Sequence, residues 1–516
     1  MFTETELKLQ LPPDGVSRLQ RQPLLKSLSV SRSVTCRFYS IYYDTPDMDL
    51  RHGGLAFRLR RIGRHWFQTI KGGGAAAAGL HQRSEFEAQV LKAHPDFTKI
   101  TDPSLARLFA PGTLREQLQP VFITDFHRTT RLLRFPDGGE VEFCLDRGKI
   151  IAGSRDTPVC EIELELRAGS ISALFKFALD LLSDVSFRLE SVSKAERGYA
   201  LATGNWSPPM KAVPVQLRAE MSASEAFLAI VWNCVSHLHG NETGMLQGYD
   251  IEHLHQMRVG LRRLRSSMGM FSQVYPEISS GPLVHELKWL SGMLSSARDW
   301  DVFVTEVLAQ VDACFPGHPG MEELKDRCER RRRHFNREAC SAVESQRYTE
   351  LMLRLGRCAY TGDWSESFPS EADRSTNLKP ETPVKEFATA LLERRRRQLG
   401  KYGKKLVSLD ETELHALRIV IKKHRYAAEF FASAYPHKNK KTKQYIQSLS
   451  EIQDILGAMN DAANVERLLG EVSSENDGKK LCEATGIMLG WSARPLGDKE
   501  HFMNAWKGFI EAEPFW

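Results

Sequence analysis

Charged residues alternate with apolar ones at the start of the chain. Glu4, Glu6 and Lys8 occupy every second position of the segment ETELKLQL. Side chains of an extended strand point to opposite faces with a period of two, so these three residues share one face and Leu7 and Leu9 the other. A half-buried strand whose polar face meets water explains this segment taken alone. Whether it does more depends on the rest of the chain.

The same alternation recurs in three later strand-like segments. The charged residues that share a face are Arg58 and Arg60 in LAFRLRRI, Arg83, Glu85 and Glu87 in RSEFEAQV, and Glu161, Glu163 and Glu165 in CEIELELR. A conventional sandwich with a solvated charged face would accommodate each segment. The alternative is a closed sheet whose charged faces point into a lumen and whose apolar faces are covered by helices.

Charges of both signs in one lumen would suit a metal ion and a multiply charged anion. Glutamates two positions apart lie about 7 Å from each other along a strand and repel unless a cation neutralises them. Carboxylates are hard oxygen ligands for Mg²⁺ or Mn²⁺, and Lys and Arg would hold phosphate oxygens. Each cation–phosphate contact at about 4 Å contributes on the order of 4 kcal/mol before desolvation, at an effective dielectric constant near 20.

The elements that must position these residues change character near residue 205. Up to about residue 200, short strand-like segments alternate with Gly, Pro or Asp turns, and helical stretches interrupt them near 102–110 and 170–182. The prolines of WSPPMKAVP at 206–214 mark a linker, and long amphipathic helices follow. The predicted organisation is a strand-rich domain at 1–205, a linker at 206–218 and a helical domain at 219–510.

Two segments are predicted to be loops. GGGAAAAG at 72–79 is interpreted as a flexible connection between hairpin strands, with a mobile lid as the alternative. The segment at 361–383, which contains several Pro, Ser and Asp residues, is predicted to break the helical half in two.

The helical half contains an internal repeat. HQMRVGLRRLRSSMGMF at 255–271 aligns with HALRIVIKKHRYAAEFF at 415–431, and 287–303 aligns with 449–465. The separations agree within two residues. Two copies, at about 219–360 and 384–510, are therefore predicted to pack into one bundle-like domain.

Both copies place a histidine and three cations on one helix face. Positions i, i+3, i+7 and i+10 share a face of a helix. These positions hold His255, Arg258, Arg262 and Arg265 in the first copy and His415, Arg418, Lys422 and Arg425 in the second. Such a face repels itself and favours an anion, although pairing with acidic neighbours such as Asp299 or Asp461 is the alternative. The histidines lack a carboxylate at i+4, and no aromatic residues interleave with the cations, which disfavours metal and nucleic-acid sites.

Composition excludes several classes of protein. A chain of 516 residues predicts two to four domains, and 42% hydrophobic with 26% charged residues is typical of a soluble globular protein. No apolar run is long enough to span a membrane, and the start FTETE lacks the features of a secretory signal. Nine scattered cysteines favour a reducing cytoplasm over a disulfide framework or a zinc cluster. The net charge of +5 is too small to identify a partner.

The first 202 residues resemble CYTH domains, the triphosphate tunnel metalloenzymes. The segments that carry the resemblance are ETELK at 4–8, YYDTPDMDLRHGGLAFRLRRIGRHWFQTIKGG at 42–73, GLHQRSEFEAQV at 79–90, CEIELELR at 160–167 and SVSKAERGY at 191–199. The resemblance implies an eight-stranded antiparallel β tunnel with flanking helices. It further implies binding of triphosphate compounds and, with a divalent metal, hydrolysis of the terminal phosphoanhydride.

The resemblance also implies roles for individual residues. The metal carboxylates would be Glu4, Glu6, Glu161 and Glu163, and the phosphate ligands Lys8, Arg58, Arg60, Lys71, Arg128 and Lys194. Four further residues occupy family-strand positions. Arg83 is assigned to phosphate binding and Glu165 to metal binding. Glu85 and Glu87 are assigned to catalysis, together with Glu4, Glu6 and Lys8. The sequence leaves open which of these further residues contacts substrate, water or structural salt bridges. Asp146 and Arg147, before an expected turn at Gly148, are additional candidates.

The helical half resembles the CHAD domain over about 220–510. HxxRVxxRRLR at 255–265 and HxxRxxxKKxRY at 415–426 carry this resemblance. It implies two pseudo-symmetric four-helix units with a basic groove that binds inorganic polyphosphate through the cationic faces described above.

The sequence therefore predicts an α+β multidomain protein with a β tunnel followed by an all-α domain of two helical-bundle repeats. The predicted activity is hydrolysis of inorganic triphosphate to pyrophosphate and phosphate with Mg²⁺ or Mn²⁺, and polyphosphate is the predicted partner of the helical domain. Neither nucleic acid nor a membrane is an expected partner. A nucleoside triphosphatase or adenylate cyclase of the same fold, and a non-catalytic polyphosphate-binding protein, are the alternatives. The carboxylates of Glu4, Glu6, Glu161 and Glu163 disfavour the last, because an anion trap gains nothing from carboxylates.

Overall fold

The computed structural model describes most of the chain. The residues described are 2–112, 114–205, 208–248, 250–279, 281–364, 379–403, 405–473, 478–492 and 499–516. Only the backbone is described at 2, 3, 73–76, 83, 277, 279, 407, 411, 458–463 and 499. The chain divides into two compact units. The first comprises Met1–Met210, Glu242–Gln247 and Glu344–Thr361, and the second Lys211–Asn241, Gly248–Val343 and Gly362–Trp516.

Antiparallel strands build the first unit. They are β1 (Phe2–Gln10), β2 (Val34–Asp44), β3 (Leu55–Ile62), β4 (His65–Ala77), β5 (Leu80–Val90), β6 (Gln119–Arg134), β7 (Glu140–Ala152), β8 (Arg155–Ala168) and β9 (Arg188–Leu189). Their order is β5-β4-β3-β2-β6-β7-β8-β1-β9, and an additional pairing of β1 with β5 closes eight of them into a ring. The predicted eight-stranded tunnel is therefore confirmed.

Eighteen α-helices are present in the described chain. They are α1 (Gly15–Gln20), α2 (Pro23–Leu28), α3 (Asp49–His52), α4 (Pro103–Leu108), α5 (Ile171–Leu182), α6 (Lys194–Thr203), α7 (Ala223–His239), α8 (Glu242–Leu246), α9 (Ile251–Phe271), α10 (Pro282–Val302), α11 (Ala309–Cys314), α12 (Pro319–Glu344), α13 (Gln346–Thr361), α14 (Val384–Gly403), α15 (Glu411–Phe431), α16 (Asn439–Val472), α17 (Lys479–Ser492) and α18 (Lys499–Glu511). Within this set, no helix combines the length and apolarity that crossing a bilayer requires.

The period of two in the strands separates a buried apolar face from a charged one. Leu7, Leu9, Ile162 and Leu164 are fully buried. Helix α5 contacts β8, and its own apolar residues, Phe175 among them, are buried as well. Alternation thus places the apolar residues in the core and directs the charged ones to the inside of the ring.

Helix α13 packs in the first unit, although it follows α12 in sequence. It contacts α5, and the Gln346 and Thr349 side chains donate hydrogen bonds to the carbonyls of Leu182 and Phe187 at 2.6 and 3.2 Å. The lack of a side chain at Gly356 permits this approach, because a Cβ there would lie 2.6 Å from the Cβ of Ala78. Residues far along the chain therefore contribute to the core of the strand-rich unit.

Helices dominate the described residues of the second unit, as predicted. The aligned segments form α9 and α15, each of 21 residues, and each is capped by an aspartate, Asp250 or Asp410, that accepts a backbone hydrogen bond. The two helices end at equivalent residues, Phe271 and Phe431, whose ring centroids lie 6.2 Å apart. Phe387 stacks on Phe271 at 4.7 Å. The two copies therefore meet through an aromatic core at matching positions.

Two local predictions are wrong. GGGAAAAG is not a flexible loop or lid, because β4 continues to Ala77 and pairs with β5, leaving Ala78 and Gly79 as the turn, with φ of 48° and 75°. Gly148 lies inside β7 rather than in a turn; a Cβ there would approach the carbonyl oxygen of Asp125 to 2.2 Å. Of the predicted break at 361–383, residues 365–378 lie outside the described part of the chain.

Candidate active site

A cavity of about 940 Å³ lies within the closed ring of strands. The predicted residues that line it are Glu4, Glu6, Lys8, Arg58, Arg60, Lys71, Glu85, Glu87, Arg128, Glu163, Glu165 and Lys194. Glu161 is buried at 1% exposure outside this lining, and the side chain of Arg83 is not described. The charged residues that alternate along separate strands therefore face one common cavity.

One part of the site is a network of buried ion pairs. Glu163, opposite Lys8 in the register of β1 and β8, accepts hydrogen bonds from Lys8 and Arg128 and, at 2.9 Å, from Lys194. Burial opposes the ionisation of Glu163, but Lys194, Lys8 and Arg128 outweigh it and hold its pKa well below the usual range. Asp146 is equally buried and pairs with Arg128 and Lys194, each at 2.7 Å.

Glu161 belongs to the same network. It accepts hydrogen bonds from Lys194 and from Arg197, one helical turn further along α6. Oxygens of Asp146, Glu161 and Glu163 lie within 4.8 Å of one another, the spacing that a metal site requires. Each of these carboxylates is nevertheless already neutralised by Lys or Arg, so the network is balanced without a metal ion.

A second group of carboxylates shares its cations. Glu6 lies 2.9 Å from Lys8, which Glu163 also contacts, and Arg167 lies 2.8 Å from both Glu142 and Glu165. We call Glu4, Glu6, Glu142 and Glu165 the open carboxylates; all four line the cavity, and both Glu6 and Glu142 lie opposite Glu165 in register. Burial, with repulsion from Glu4, Glu142 and Glu6, raises the pKa of Glu165 to about 7, although Arg167 opposes the rise from 2.8 Å. An excess of negative charge at this place suits a divalent cation.

Arginines dominate another part of the lining. We call Arg58, Arg60 and Arg128 the arginine cluster. Arg58 donates a hydrogen bond to the Tyr42 hydroxyl at 3.2 Å and lies 3.6 Å from Glu85. Burial, followed by the charges of Arg58 and Arg128, lowers the pKa of Arg60 to about 10. Within the described part of the chain no carboxylate lies within 4.0 Å of Arg60, so a cationic position is available for an anion.

Sequence reasoning missed several residues of this site or undervalued them. Glu142 and Asp146 share one face of VEFCLDRG, as the charged residues of the other strands do, but Gly148 suggested a turn in place of a strand. Arg197 was detectable as the i+3 neighbour of Lys194 on α6. Arg147, the other candidate beside Asp146, is exposed and lies outside the lining. Phe38 and Tyr42 also line the cavity, and no charge pattern marks them.

In the second unit, some residues of the predicted cationic face lie close together. Burial, followed by the charges of Arg298, Arg262 and Arg258, lowers the pKa of the half-buried His255 to about 4, although Glu252 opposes the shift. Arg258 lies 3.3 Å from Asp299, so one of the predicted acidic pairings is present. Arg265 donates to Ser291 at 3.0 Å. Mutual repulsion among the remaining cations is the property expected of an anion site.

The second copy is arranged differently. Arg425 contacts Gln453 and Glu429, which neutralises part of its charge. His415 is exposed, whereas Arg418 and Lys422 are half-buried on the same helix. The side chain of Asp461, the other predicted acidic partner, is not described. The two faces therefore match in sequence but differ in burial and pairing.

Comparison with known proteins finds a family match in each half of the chain. The CYTH domain matches residues 3–199, and the CHAD domain matches residues 229–470. The chain is 33% identical over 205 residues to an inorganic triphosphatase of Haemophilus influenzae; the match covers 39% of this chain and 56% of that protein, little more than half its length.

Two further proteins are similar to parts of this chain. An uncharacterised protein of Mycobacterium tuberculosis is 27% identical over 386 residues, which cover 69% of this chain and 68% of that protein. The crystal structure of the CHAD domain from the plant Ricinus communis is 31% identical, with a TM-score of 0.49, and the match covers 58% of this chain and 96% of that domain.

Proposed function

Because the chain contains a CYTH domain at 3–199 and a CHAD domain at 229–470, we propose that it hydrolyses inorganic triphosphate to pyrophosphate and phosphate in the cavity of the first unit. The observation that carries this proposal is the juxtaposition of open carboxylates and an arginine cluster in one lining. An anion alone would not require the carboxylates, and a cation alone would not require the arginines. The similarity to an inorganic triphosphatase over the first unit supports the same reaction class.

The arginine cluster and Lys71 would bind the phosphate chain. Arg58 is buried and Arg60 is half-buried in the wall of the ring, so their guanidinium groups are held in position before substrate arrives. Lys71 is shared between Glu4 and Glu85, the latter at 3.2 Å, and can exchange these partners for phosphate oxygens. Positioning and charge neutralisation account for most of the catalysis of phosphoryl transfer.

The open carboxylates fit a divalent metal. Glu4, Glu6 and Glu165 would hold it, because they line the cavity and carry more negative charge than their neighbours neutralise. When bound, Mg²⁺ or Mn²⁺ neutralises the charge of the phosphates and of the leaving group. In hydrolysis a water oxygen attacks the terminal phosphorus, the bond from phosphorus to the bridging oxygen breaks, and pyrophosphate leaves. A proton of that water passes to a basic group of the site.

We propose further that the second unit binds inorganic polyphosphate along α9 and α15. The gathering of Arg258, Arg262 and Arg298 around His255 supports this proposal, because the three arginines repel one another and oppose the protonation of His255 in the absence of an anion. Arg418 and Lys422 would form the matching contact on the second copy. Tethering a long polyanion beside the hydrolytic unit would supply or target substrate.

A phosphate-release assay tests the hydrolytic function. Tripolyphosphate, ATP and pyrophosphate are compared with Mg²⁺ and with excess EDTA. We expect rapid, metal-dependent release from tripolyphosphate and little from pyrophosphate. A preference for ATP would support the nucleoside triphosphatase alternative, and an absence of hydrolysis with tight binding of polyphosphate would support the non-catalytic alternative.

A further inference from the structure

Two aromatic rings lie among the charges of the cavity. Phe38 lines the cavity and stacks on Phe126, with centroids 5.6 Å apart and planes inclined by 13°. The guanidinium carbons of Arg60 and Arg128 lie 5.1 and 5.2 Å from the centroid of Phe38. The ammonium nitrogen of Lys194 lies 5.1 Å from the centroid of Phe126. Three cations that line the cavity therefore contact this one aromatic pair.

The strand register builds this arrangement. Phe38 and Phe126 are direct cross-strand partners in β2 and β6. Arg128 lies two residues beyond Phe126, and Arg60 pairs with Ser40, two residues beyond Phe38. The period of two therefore places the rings and the guanidinium groups on the same inner face.

Arg60 depends on this ring more than its neighbours do. Its polar partner is the Ser40 hydroxyl at 3.4 Å, and the described residues offer it no carboxylate within 4.0 Å. Arg128, by contrast, forms a bidentate pair with Asp146 in addition to its contact with the ring. A ring face attracts a guanidinium group without neutralising it, so the positive charge remains available to an anion.

We infer that Phe38 is a positioning residue, which with Phe126 orients the guanidinium groups of Arg60 and Arg128 toward a phosphate chain. This inference rests on the proposed function of the same cavity. It also bears on the substrate class, because Phe126 and two guanidinium groups already contact the Phe38 ring. A nucleobase could stack there only by displacing them. Phe38 therefore serves phosphates of inorganic and nucleoside triphosphates alike.

The first test replaces the ring in the full-length protein. Phe38→Leu keeps apolar volume but removes the π face, whereas Phe38→Tyr keeps the ring. We expect Phe38→Leu to weaken tripolyphosphate binding about tenfold, seen as a raised KM with kcat changed less, and Phe38→Tyr to stay within about twofold of wild type. Phe86→Leu is the matched control, since Phe86 borders the same cavity and no described cation lies over its ring. It should leave KM unchanged.

A double-mutant cycle separates positioning from a general structural effect. If Phe38 acts through Arg60, then Phe38→Leu adds little to the loss already caused by Arg60→Lys. The inference would be overturned if the losses of affinity in Phe38→Leu and Arg60→Lys multiplied in the double variant, or if KM were unchanged in Phe38→Leu. A loss of affinity confined to ATP would also overturn it and would identify Phe38 as a base-stacking residue.

Binding measured without turnover distinguishes this inference from the proposed function. Calorimetric titration of wild type, Phe38→Leu and Phe38→Tyr with tripolyphosphate in EDTA reports the phosphate contacts even if wild type hydrolyses nothing. Weaker binding by Phe38→Leu alone supports the inference whatever the activity. Equal binding by all three contradicts it. If Phe38→Leu fails to fold, Phe38→Met replaces it, because Met also lacks the ring and adapts to irregular space.

Discussion

At the scale of single residues, the carboxylates of the cavity differ in what neutralises them. Glu163 is surrounded by Lys8, Arg128 and Lys194 and needs no further cation. Glu165 is repelled by Glu4 and Glu6, and Arg167 compensates only part of that charge. Two glutamates of the same strand are therefore expected to respond differently to substitution.

Substitution of the open carboxylates should abolish activity while preserving the fold. In Glu4→Gln and Glu165→Gln a metal ligand is lost and like-charge repulsion is relieved, so we expect at least about a 100-fold loss of triphosphate hydrolysis with an unchanged or raised melting temperature. Glu163→Gln should instead lower stability by about 3–5 kcal/mol, because buried Lys8 and Lys194 lose their counter-charge. Phosphate release and thermal melting measure both effects. Full activity in Glu4→Gln, or in excess EDTA, would refute the metal assignment.

A pH dependence of stability is expected from Glu242, a buried residue of the first unit. Burial raises its pKa from the ordinary 4.5 to about 7, although Arg188, 3.3 Å away, and Tyr348 oppose the rise. The folded state therefore favours the protonated form. Its contribution to stability is complete below about pH 4.5 and is lost as the pH rises through 7, which amounts to roughly 3 kcal/mol.

Urea unfolding of Glu242→Gln at pH 5 and pH 8 measures this contribution. The variant is uncharged throughout, so it should be more stable than wild type at pH 8, and the difference should shrink toward pH 5. If wild type and Glu242→Gln showed the same pH dependence of the free energy of unfolding, ionisation of Glu242 would not destabilise the folded state.

At the scale of elements, α9 and α15 repeat one sequence pattern in two environments. Arg262 and Lys422 occupy the same offset in the two helices, and both are half-buried. Contact with a long polyanion would neutralise both faces, whereas triphosphate is too short to engage many cations at once. Affinity should then grow with chain length and fall steeply with salt, because counterions are released.

Charge reversal at matching positions of α9 and α15 tests whether these two faces bind the polyanion. Arg262→Glu with Lys422→Glu should weaken binding of long-chain polyphosphate at least about tenfold at low salt and leave hydrolysis of tripolyphosphate unchanged. Arg330→Glu with Lys423→Glu reverses the same number of charges at exposed positions away from those faces and serves as the control. Titrations at two salt concentrations provide the measurement. Equal affinity of both double variants would show that net charge, rather than these faces, binds the polyanion.

At the scale of the whole molecule, the first unit is discontinuous in sequence. Every proposed catalytic side chain lies within 1–205, and this fragment was predicted to form a domain. The core of the unit, however, includes Leu351, Met352 and Leu355 of α13, which pack where α5 would otherwise be exposed. Stability and catalysis are thus assigned to different parts of the chain.

Fragment 1–205 should therefore be active but unstable. We expect it to melt at least about 10 °C below a version that carries residues 342–364 on a flexible linker, because the apolar surface of α5 is uncovered. Both should show the same kcat at low temperature. Gly356→Leu in the full chain should destabilise by collision with Phe175 and Ala78, and Gly470→Leu, where nothing lies within 4 Å, is the control. Equal melting of the two fragments would show that α13 does not stabilise the unit.

Local periodicity was enough to predict many of the strands and helices and the charged faces of β1, β3, β5 and β8. A period of two assigns Glu4, Glu6 and Lys8 to one face, and offsets of three and four assign Arg258 and Arg262 to another, since both follow from the geometry of the backbone. These patterns need no partner from elsewhere in the chain. These patterns can therefore be recognised in the sequence without knowledge of any tertiary contact.

Only the tertiary structure decided which charges are neutralised and where α13 packs. Glu161 and Glu165 look alike in CEIELELR, yet one is paired with Lys194 and Arg197 and the other lies among carboxylates. The contact of Phe38 with two arginines likewise depends on strands that are separated in sequence. Electrostatic balance and core packing are sums over neighbours in space, and a linear pattern does not contain those neighbours.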